Sequence, residues 1–119
     1  MKSLFLFITI IASSFCLAQD NSTIQTKVTD KLDAIKKVLT LSPDQEVKIK
    51  KALTNRYEAI TTFEQLNTNN KEAIKEEKKK QKKIYKDIFE KTLTKDQRKQ
   101  WDKYKEAKKK EINTDQSEE

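Results

Sequence analysis

Few side chains in this sequence have the types and spacing that enzyme or metal chemistry requires. The chain contains no histidine and no glycine, and its single cysteine, Cys16, lies in an apolar N-terminal stretch. Transition-metal sites, nucleophilic triads and glycine-rich phosphate loops each need at least one of those residue types. The carboxylate pair Glu76 and Glu77 lies in a lysine-rich run, not in the apolar surroundings that an acid–base pair requires. The sequence therefore predicts a protein that is not an enzyme and that uses no cofactor and no metal.

The polar residues that repeat at a fixed spacing predict hydrogen bonding at helix starts. The segment Leu41-Ser42-Pro43-Asp44-Gln45 (the first box) returns 52 residues later as Leu93-Thr94-Lys95-Asp96-Gln97 (the second box). A Ser or Thr N-cap accepts from the backbone N–H at N3, and a Gln at N3 accepts from the N-cap N–H. Proline at N1 sacrifices no helical hydrogen bond, and Asp at N2 favours the positive end of the helix dipole. The predicted motif residues are Leu41, Ser42, Gln45, Leu93, Thr94 and Gln97.

Helix capping alone requires neither the leading leucine nor the same box twice. The paired boxes resemble the LTxxQ signature of the Spy/CpxP family of small periplasmic helical proteins, with Ser42 replacing Thr in the first copy. The resemblance covers ten residues. It implies an ATP-independent chaperone or a sensor-kinase adaptor, built as a thin, cradle-like dimer. The alternative is that both boxes are simply good caps in an unrelated helical bundle.

The N-terminal residues predict export. Residues 1–18 have the pattern of a secretory signal peptide: Lys2, an apolar stretch from Leu4 to Ile11, and a small-x-small site ending at Ala18. We expect cleavage after Ala18 and a periplasmic product. Lipidation of Cys16 is the alternative, and it is disfavoured because the bulky Phe15 precedes the cysteine.

Apolar residues at helical spacing predict four helices and no strands. Five apolar residues from Ile24 to Leu39 recur at steps of three or four, and the first box opens a second such stripe. A turn at 66–70 separates this second helix from a third, expected over 70–92, and the second box opens a fourth. Ser22 and Gln25 suggest a cap for the first helix.

The predicted fold is therefore all-α: one domain over 19–113 whose four helices form an elongated, cradle-like hairpin. The acidic residues 114–119 are predicted to form a disordered tail. Because apolar residues are few for a chain of this length, a homodimer is the natural way to gain stability.

Positive charge is concentrated in the second half of the chain. Residues 71–110 contain 17 basic and 8 acidic residues, a surplus that attracts acidic partners over long range. A solvated helix face is the simpler interpretation of each single lysine, and core packing is the simpler interpretation of each aromatic residue. The residues predicted to contact a client protein are Tyr57, Ile60, Phe63, Tyr85, Ile88, Phe89, Lys79, Lys82 and Lys83. Trp101 is assigned to packing beneath Leu93.

Three functions are compatible with these features. The leading prediction is a periplasmic holdase that binds unfolded or misfolded envelope proteins through charge, followed by weak apolar contact. The second is a regulatory adaptor for the sensor domain of an envelope-stress kinase. The third is a polyanion or membrane-surface binder, since a lysine-rich amphipathic helix can lie on anionic headgroups. Export makes nucleic acid an unexpected partner.

Overall fold

The computed structural model describes residues 15–115 as four helices, with no strand in that part of the chain. Helix α1 spans Phe15–Val38, α2 spans Pro43–Leu66, α3 spans Lys71–Thr92 and α4 spans Lys95–Asp115. The all-α prediction with four helices is confirmed. The bounds of α2 and α3 also agree with those expected from the boxes and the turn.

Helix α1 begins earlier than the sequence suggested. It starts at Phe15, so Ser22 lies inside the helix and does not cap it, and the Ser22 carbonyl accepts from the Thr26 hydroxyl at 3.0 Å. No proline or glycine interrupts residues 15–25, so nothing stops the helix from continuing upstream.

The two ends of the chain lie partly outside the described residues. Of the predicted signal peptide, residues 1–14 are not described, and residues 15–18 form the first turn of α1. Cleavage after Ala18 would therefore remove that turn. At the other end α4 continues to Asp115, so the first two residues of the predicted tail are helical, and 116–119 lie outside the described range.

One continuous apolar core is built mainly from α1 and the first half of α2. All five residues of the predicted α1 stripe are buried, and Val28, Ile35 and Leu39 are almost completely inaccessible to solvent. Helix α2 contributes Ile49 and Leu53, both fully buried. The period of 3.6 residues explains this arrangement, because steps of three and four keep the apolar side chains on one helix face. The remaining core members are Ala52, Tyr85, Phe89 and Leu93.

Helices α2 and α3 form a long antiparallel hairpin whose turn is fastened by asparagines. Asn70 accepts from the Ala73 backbone N–H at 3.0 Å and caps α3, while the Asn67 side chain donates to the Phe63 carbonyl at 2.9 Å. We call the end with this turn the turn end, and the opposite end, where both boxes lie, the box end.

The molecule is elongated. Its extents are 76 × 41 × 26 Å and its radius of gyration is 20.8 Å. A compact domain of about 100 residues would have a radius of gyration of roughly 13 Å. The helices therefore enclose a core along only part of their length and leave long faces open to solvent.

Candidate functional site

Both boxes cap their helices as the sequence predicted. The Ser42 hydroxyl accepts from the Gln45 backbone N–H at 3.2 Å, and the Gln45 side chain accepts from the Ser42 N–H at 3.0 Å. In the second box the corresponding distances between Thr94 and Gln97 are 3.2 and 2.9 Å. Two otherwise unpaired backbone donors are satisfied reciprocally at each helix start.

The two boxes also bond to each other, which the sequence reasoning did not anticipate. The Gln45 amide nitrogen donates to Gln97 Oε1 at 2.8 Å, and the Gln97 amide nitrogen donates to Gln45 Oε1 at 3.1 Å. Each nitrogen makes a second bond across the junction, from Gln45 to the Thr92 carbonyl at 3.0 Å and from Gln97 to the Thr40 carbonyl at 2.7 Å. Each side-chain amide thus uses both of its donors and both acceptor positions of its oxygen.

The leading leucines of the boxes belong to the core beneath this amide pair. Leu93 is buried, and Leu41 is partly buried against the same cluster. Trp101 packs edge-to-face on Phe89 with ring centroids 5.3 Å apart, which confirms the packing role predicted for it. The box end is therefore hydrogen-bonded and closely packed, and it has a structural role in this fold.

The six apolar and aromatic residues predicted to contact a client fall into three groups by burial. Tyr85 and Phe89 are buried, with their rings stacked at a centroid distance of 5.7 Å, so the structure corrects their assignment: they are core residues. Tyr57, Ile60 and Phe63 are half-buried along α2. Of the six apolar and aromatic candidates, Ile88 alone is exposed. The cause is that α3 turns one apolar face to the core and a neighbouring one to solvent.

The exposed apolar face of α3 carries Ile84 and Ile88, which we call the isoleucine pair. Their exposed fractions are 44% and 39%, and they lie one helical turn apart. Lys80 and Lys91, at helical spacings of four and three residues, extend the same face in both directions. A small apolar surface thus lies within a positively charged helix.

A second feature is a groove of about 660 Å³ between α2 and α3 toward the turn end. Predicted contact residues Lys79 and Lys82 line it, whereas Lys83 is exposed on α3 outside the lining. We call this feature the basic groove, and the residues that line it are Arg56, Glu64, Thr68, Lys71, Ile74, Lys75, Lys78, Lys79 and Lys82.

Two contacts fix the sides of the basic groove. Lys78 on α3 forms an ion pair with Glu64 on α2 at 2.7 Å, and both side chains are about half exposed. Farther from the turn, the Arg56 guanidinium carbon lies 5.4 Å from the centroid of the Tyr85 ring and 5.8 Å from that of Tyr57. The Arg56 Nε is buried and has no hydrogen-bond partner within the described residues.

Tyr85 is the group whose titration the fold alters most clearly. Burial raises the pKa of its hydroxyl to about 12, and the positive charge of Arg56 acts in the opposite direction. Loss of water around the phenolate is the dominant cause. Tyr85 therefore stays neutral over the physiological range and serves as a ring on which the guanidinium rests.

Comparisons with protein-family models, with curated proteins and with solved structures gave no match. The likeness to the Spy/CpxP family accordingly remains a prediction from the two boxes. Among residues 15–115 no helix is long and apolar enough to cross a membrane. Within the same range no three His, Cys, Asp or Glu side chains cluster in a way that could hold a metal ion.

Proposed function

We propose that this protein is an exported, ATP-independent holdase that binds unfolded or aggregation-prone envelope proteins. The observation that carries the proposal is the isoleucine pair, an exposed apolar surface on a lysine-rich helix. Lysines attract acidic segments of a client over long range, and the isoleucines then contact its apolar side chains. Because two half-exposed isoleucines bury little area, each contact is weak and readily reversed.

The arrangement of the rest of the molecule supports this function. Stability is supplied by the core and the box end, so α3 can present an apolar surface without that surface being needed for folding. The elongated shape leaves a long face along which an extended chain can lie. In this proposal the protein acts as a homodimer, which would double the number of weak contacts per client and raise the avidity.

The direct test is light scattering of a heated or chemically reduced client protein, with and without the purified protein, in the absence of ATP. We expect the protein at equimolar concentration to suppress aggregation at low salt. We also expect suppression to persist at moderate salt, since the apolar component of binding is not screened. Aggregation that proceeds unchanged at both salt concentrations would refute the proposal.

A matched pair of variants tests whether the isoleucine pair is the contact surface. Ile84→Gln combined with Ile88→Gln removes the exposed apolar area on α3, and we expect suppression to fall several-fold. Val47→Gln is the control, because it removes an apolar side chain that is 67% exposed on α2 and not on α3. All three side chains are exposed, so circular dichroism should show unchanged helix content in both variants.

A further inference from the structure

We propose that the basic groove is a binding site for a soluble linear polyanion that carries phosphate or sulfate groups. This site is separate from the isoleucine pair, since neither isoleucine lines the groove. The inference goes beyond the holdase proposal and does not depend on it.

The charge of the lining is the first argument. Six cationic side chains line the groove against one carboxylate, that of Glu64, which gives a net charge of +5. Along α3 the lysines run from Lys71 to Lys82, and at 1.5 Å per residue this stretch is about 16 Å long. Every turn of the helix contributes at least one lysine. Lys78 and Lys79 form ion pairs with Glu64 and Glu76 at 2.7 and 3.0 Å, whereas Lys71, Lys75 and Lys82 have no ion pair among the described residues. The groove thus presents a row of unpaired positive charges along α3, which favours a chain with a negative group on every unit.

The unpaired guanidinium of Arg56 also points to an anionic ligand. It lies at the end of the groove away from the turn, stacked on two tyrosine rings, and it has no carboxylate partner within the described residues. Its Nε is buried and inaccessible to a ligand, which leaves the terminal Nη groups of the guanidinium to bind one. A guanidinium that is held by rings and unpaired with any acid is positioned to bind an oxyanion with two parallel hydrogen bonds.

The charges of the lining distinguish this ligand from an unfolded polypeptide. Ile74 and the aliphatic stems of the lysines give the groove apolar surface, but most of its polar groups are cations. An ordinary polypeptide carries about one charged residue in four, so a segment long enough to fill the groove would leave most of the cations unpaired. A polyphosphate or a sulfated polysaccharide carries a charge on each unit and can pair with the four lining cations that have no ion pair among the described residues, namely Arg56, Lys71, Lys75 and Lys82.

The concave shape separates a soluble chain from a lipid surface. The groove is bounded by α2 on one side and α3 on the other, bridged by the Lys78–Glu64 ion pair. Arg56 is half-buried at the end of this shallow groove. A flexible chain can follow the groove to Arg56 more closely than a flat layer of headgroups can.

The test measures binding of short-chain inorganic polyphosphate to the full chain by isothermal titration calorimetry at several salt concentrations. Lys75→Gln combined with Lys82→Gln removes two groove lysines. Lys80→Gln combined with Lys83→Gln removes two exposed lysines of the same helix that do not line the groove. The two variants have equal net charge, so they differ only in where the charge was lost.

We expect the groove variant to bind polyphosphate at least about ten-fold more weakly. The slope of the logarithm of the binding constant against the logarithm of the salt concentration should become shallower by about 0.7–0.9 for each cation removed. The control variant should lose no more than about two- to three-fold through the general field. Equal weakening in the two variants would overturn the assignment, because it would show attraction to the whole helix rather than binding in the groove. No measurable binding of polyphosphate to the unsubstituted protein would also overturn it.

Further probes identify the class of ligand. Polyglutamate of matched charge and vesicles rich in anionic phospholipid are titrated under the same conditions, and both should bind more weakly than polyphosphate or a sulfated polymer. Tighter binding of either one, lost in the groove variant, would replace the proposed ligand with that one. The Ile84→Gln and Ile88→Gln variant should keep its affinity for polyphosphate. A holdase assay that fails while this binding persists would refute the proposed function and leave the groove intact.

Discussion

The two ends of the α2–α3 hairpin are built from the same pair of helices and have opposite characters. At the box end, side chains interdigitate in a core, and the two glutamine amides bond across the junction. At the turn end, the helices are bridged by one cross-helix ion pair, Lys78–Glu64, and face a groove lined with lysines. Exposed ion pairs contribute at most about 1 kcal/mol. Folding stability is therefore concentrated at one end, which leaves the other free to be shaped by charge.

This division explains how a chain with so few apolar residues can present unpaired charge and apolar surface. Like charges along Lys71–Lys83 repel each other and weaken that part of the helix. The asparagine caps at the turn and the core at the box end hold α3 from both of its ends. A charged and partly apolar surface of this kind is tolerated because the core that stabilises the fold lies elsewhere.

The largest expected effect comes from the core at the box end. Leu53 is fully buried, and Leu53→Ala should lower the free energy of unfolding by about 2–5 kcal/mol through lost burial and a residual cavity. Urea denaturation followed by circular dichroism measures it. Leu66→Ala, at a position 79% exposed at the turn end, is the control and should change stability by less than about 0.5 kcal/mol. If the two variants lost similar amounts of free energy of unfolding, stability would not be concentrated at the box end.

Alkaline pH should lower the free energy of unfolding, because it ionises the buried Tyr85 in the middle of the hairpin. Its pKa is about 12 in the folded protein and 10.0 as the ordinary value, so its contribution to stability is complete below pH 10 and is lost as the pH rises through 12. By pH 12 the loss amounts to roughly 2–3 kcal/mol. Tyr85→Phe should match the unsubstituted protein near pH 7 and unfold less readily than it does above pH 11. Equal alkaline sensitivity would mean that other groups control the transition.

The amide pair predicts a coupled effect of intermediate size. Gln45→Ala and Gln97→Ala should each cost about 2 kcal/mol, since each removes a cap and the bonds that its side-chain amide makes across the junction. The double variant should cost less than the sum of the two, by about 1 kcal/mol, because the Gln45–Gln97 bonds are counted in both single changes. Gln100→Ala on the exposed side of α4 is the matched control. Strict additivity in denaturant melts would show that the two boxes act independently.

The smallest effect is expected at the turn end. Lys75→Gln and Lys82→Gln, singly or together, should leave the free energy of unfolding within about 0.5 kcal/mol of its original value. A slight gain is expected at low salt, because repulsion along α3 is relieved. Thermal melts at two ionic strengths measure this. If the free energy of unfolding fell by more than about 1 kcal/mol, these lysines would have a structural role, and the turn end would contribute to stability.

Local patterns predicted local structure well. The α1 stripe appeared in the core in full, and both boxes capped helices where expected, since these features depend on helix periodicity and on groups three residues apart. The prediction that Ser22 caps α1 was wrong because residues 15–21 are already helical, and a helix that is already formed needs no cap at Ser22.

What sequence could not provide was the relation between distant segments. Residues 84, 85, 88 and 89 form one broad apolar face by spacing alone, and only the packing of α3 decides that Tyr85 and Phe89 turn inward while the isoleucine pair turns outward. The repeated glutamine hinted that the boxes were equivalent, but not that they meet. The groove likewise arises from residues on two helices that no motif connects.

The bond between Gln45 and Gln97 joins residues 52 positions apart, and the segment from Gln45 to Gln97 contains α2 after its first two residues, the turn and all of α3. In oxidising compartments such loops are commonly closed by disulfides. Here the fastening is made of neutral amides, and no cysteine lies within the loop. A reductant cannot break these hydrogen bonds. Acid and salt have little effect on them, because the two amides carry no charge to be protonated or screened. The hairpin should therefore remain joined at its base under reducing conditions, at acidic pH and at high ionic strength, which would open a disulfide or an ionic closure.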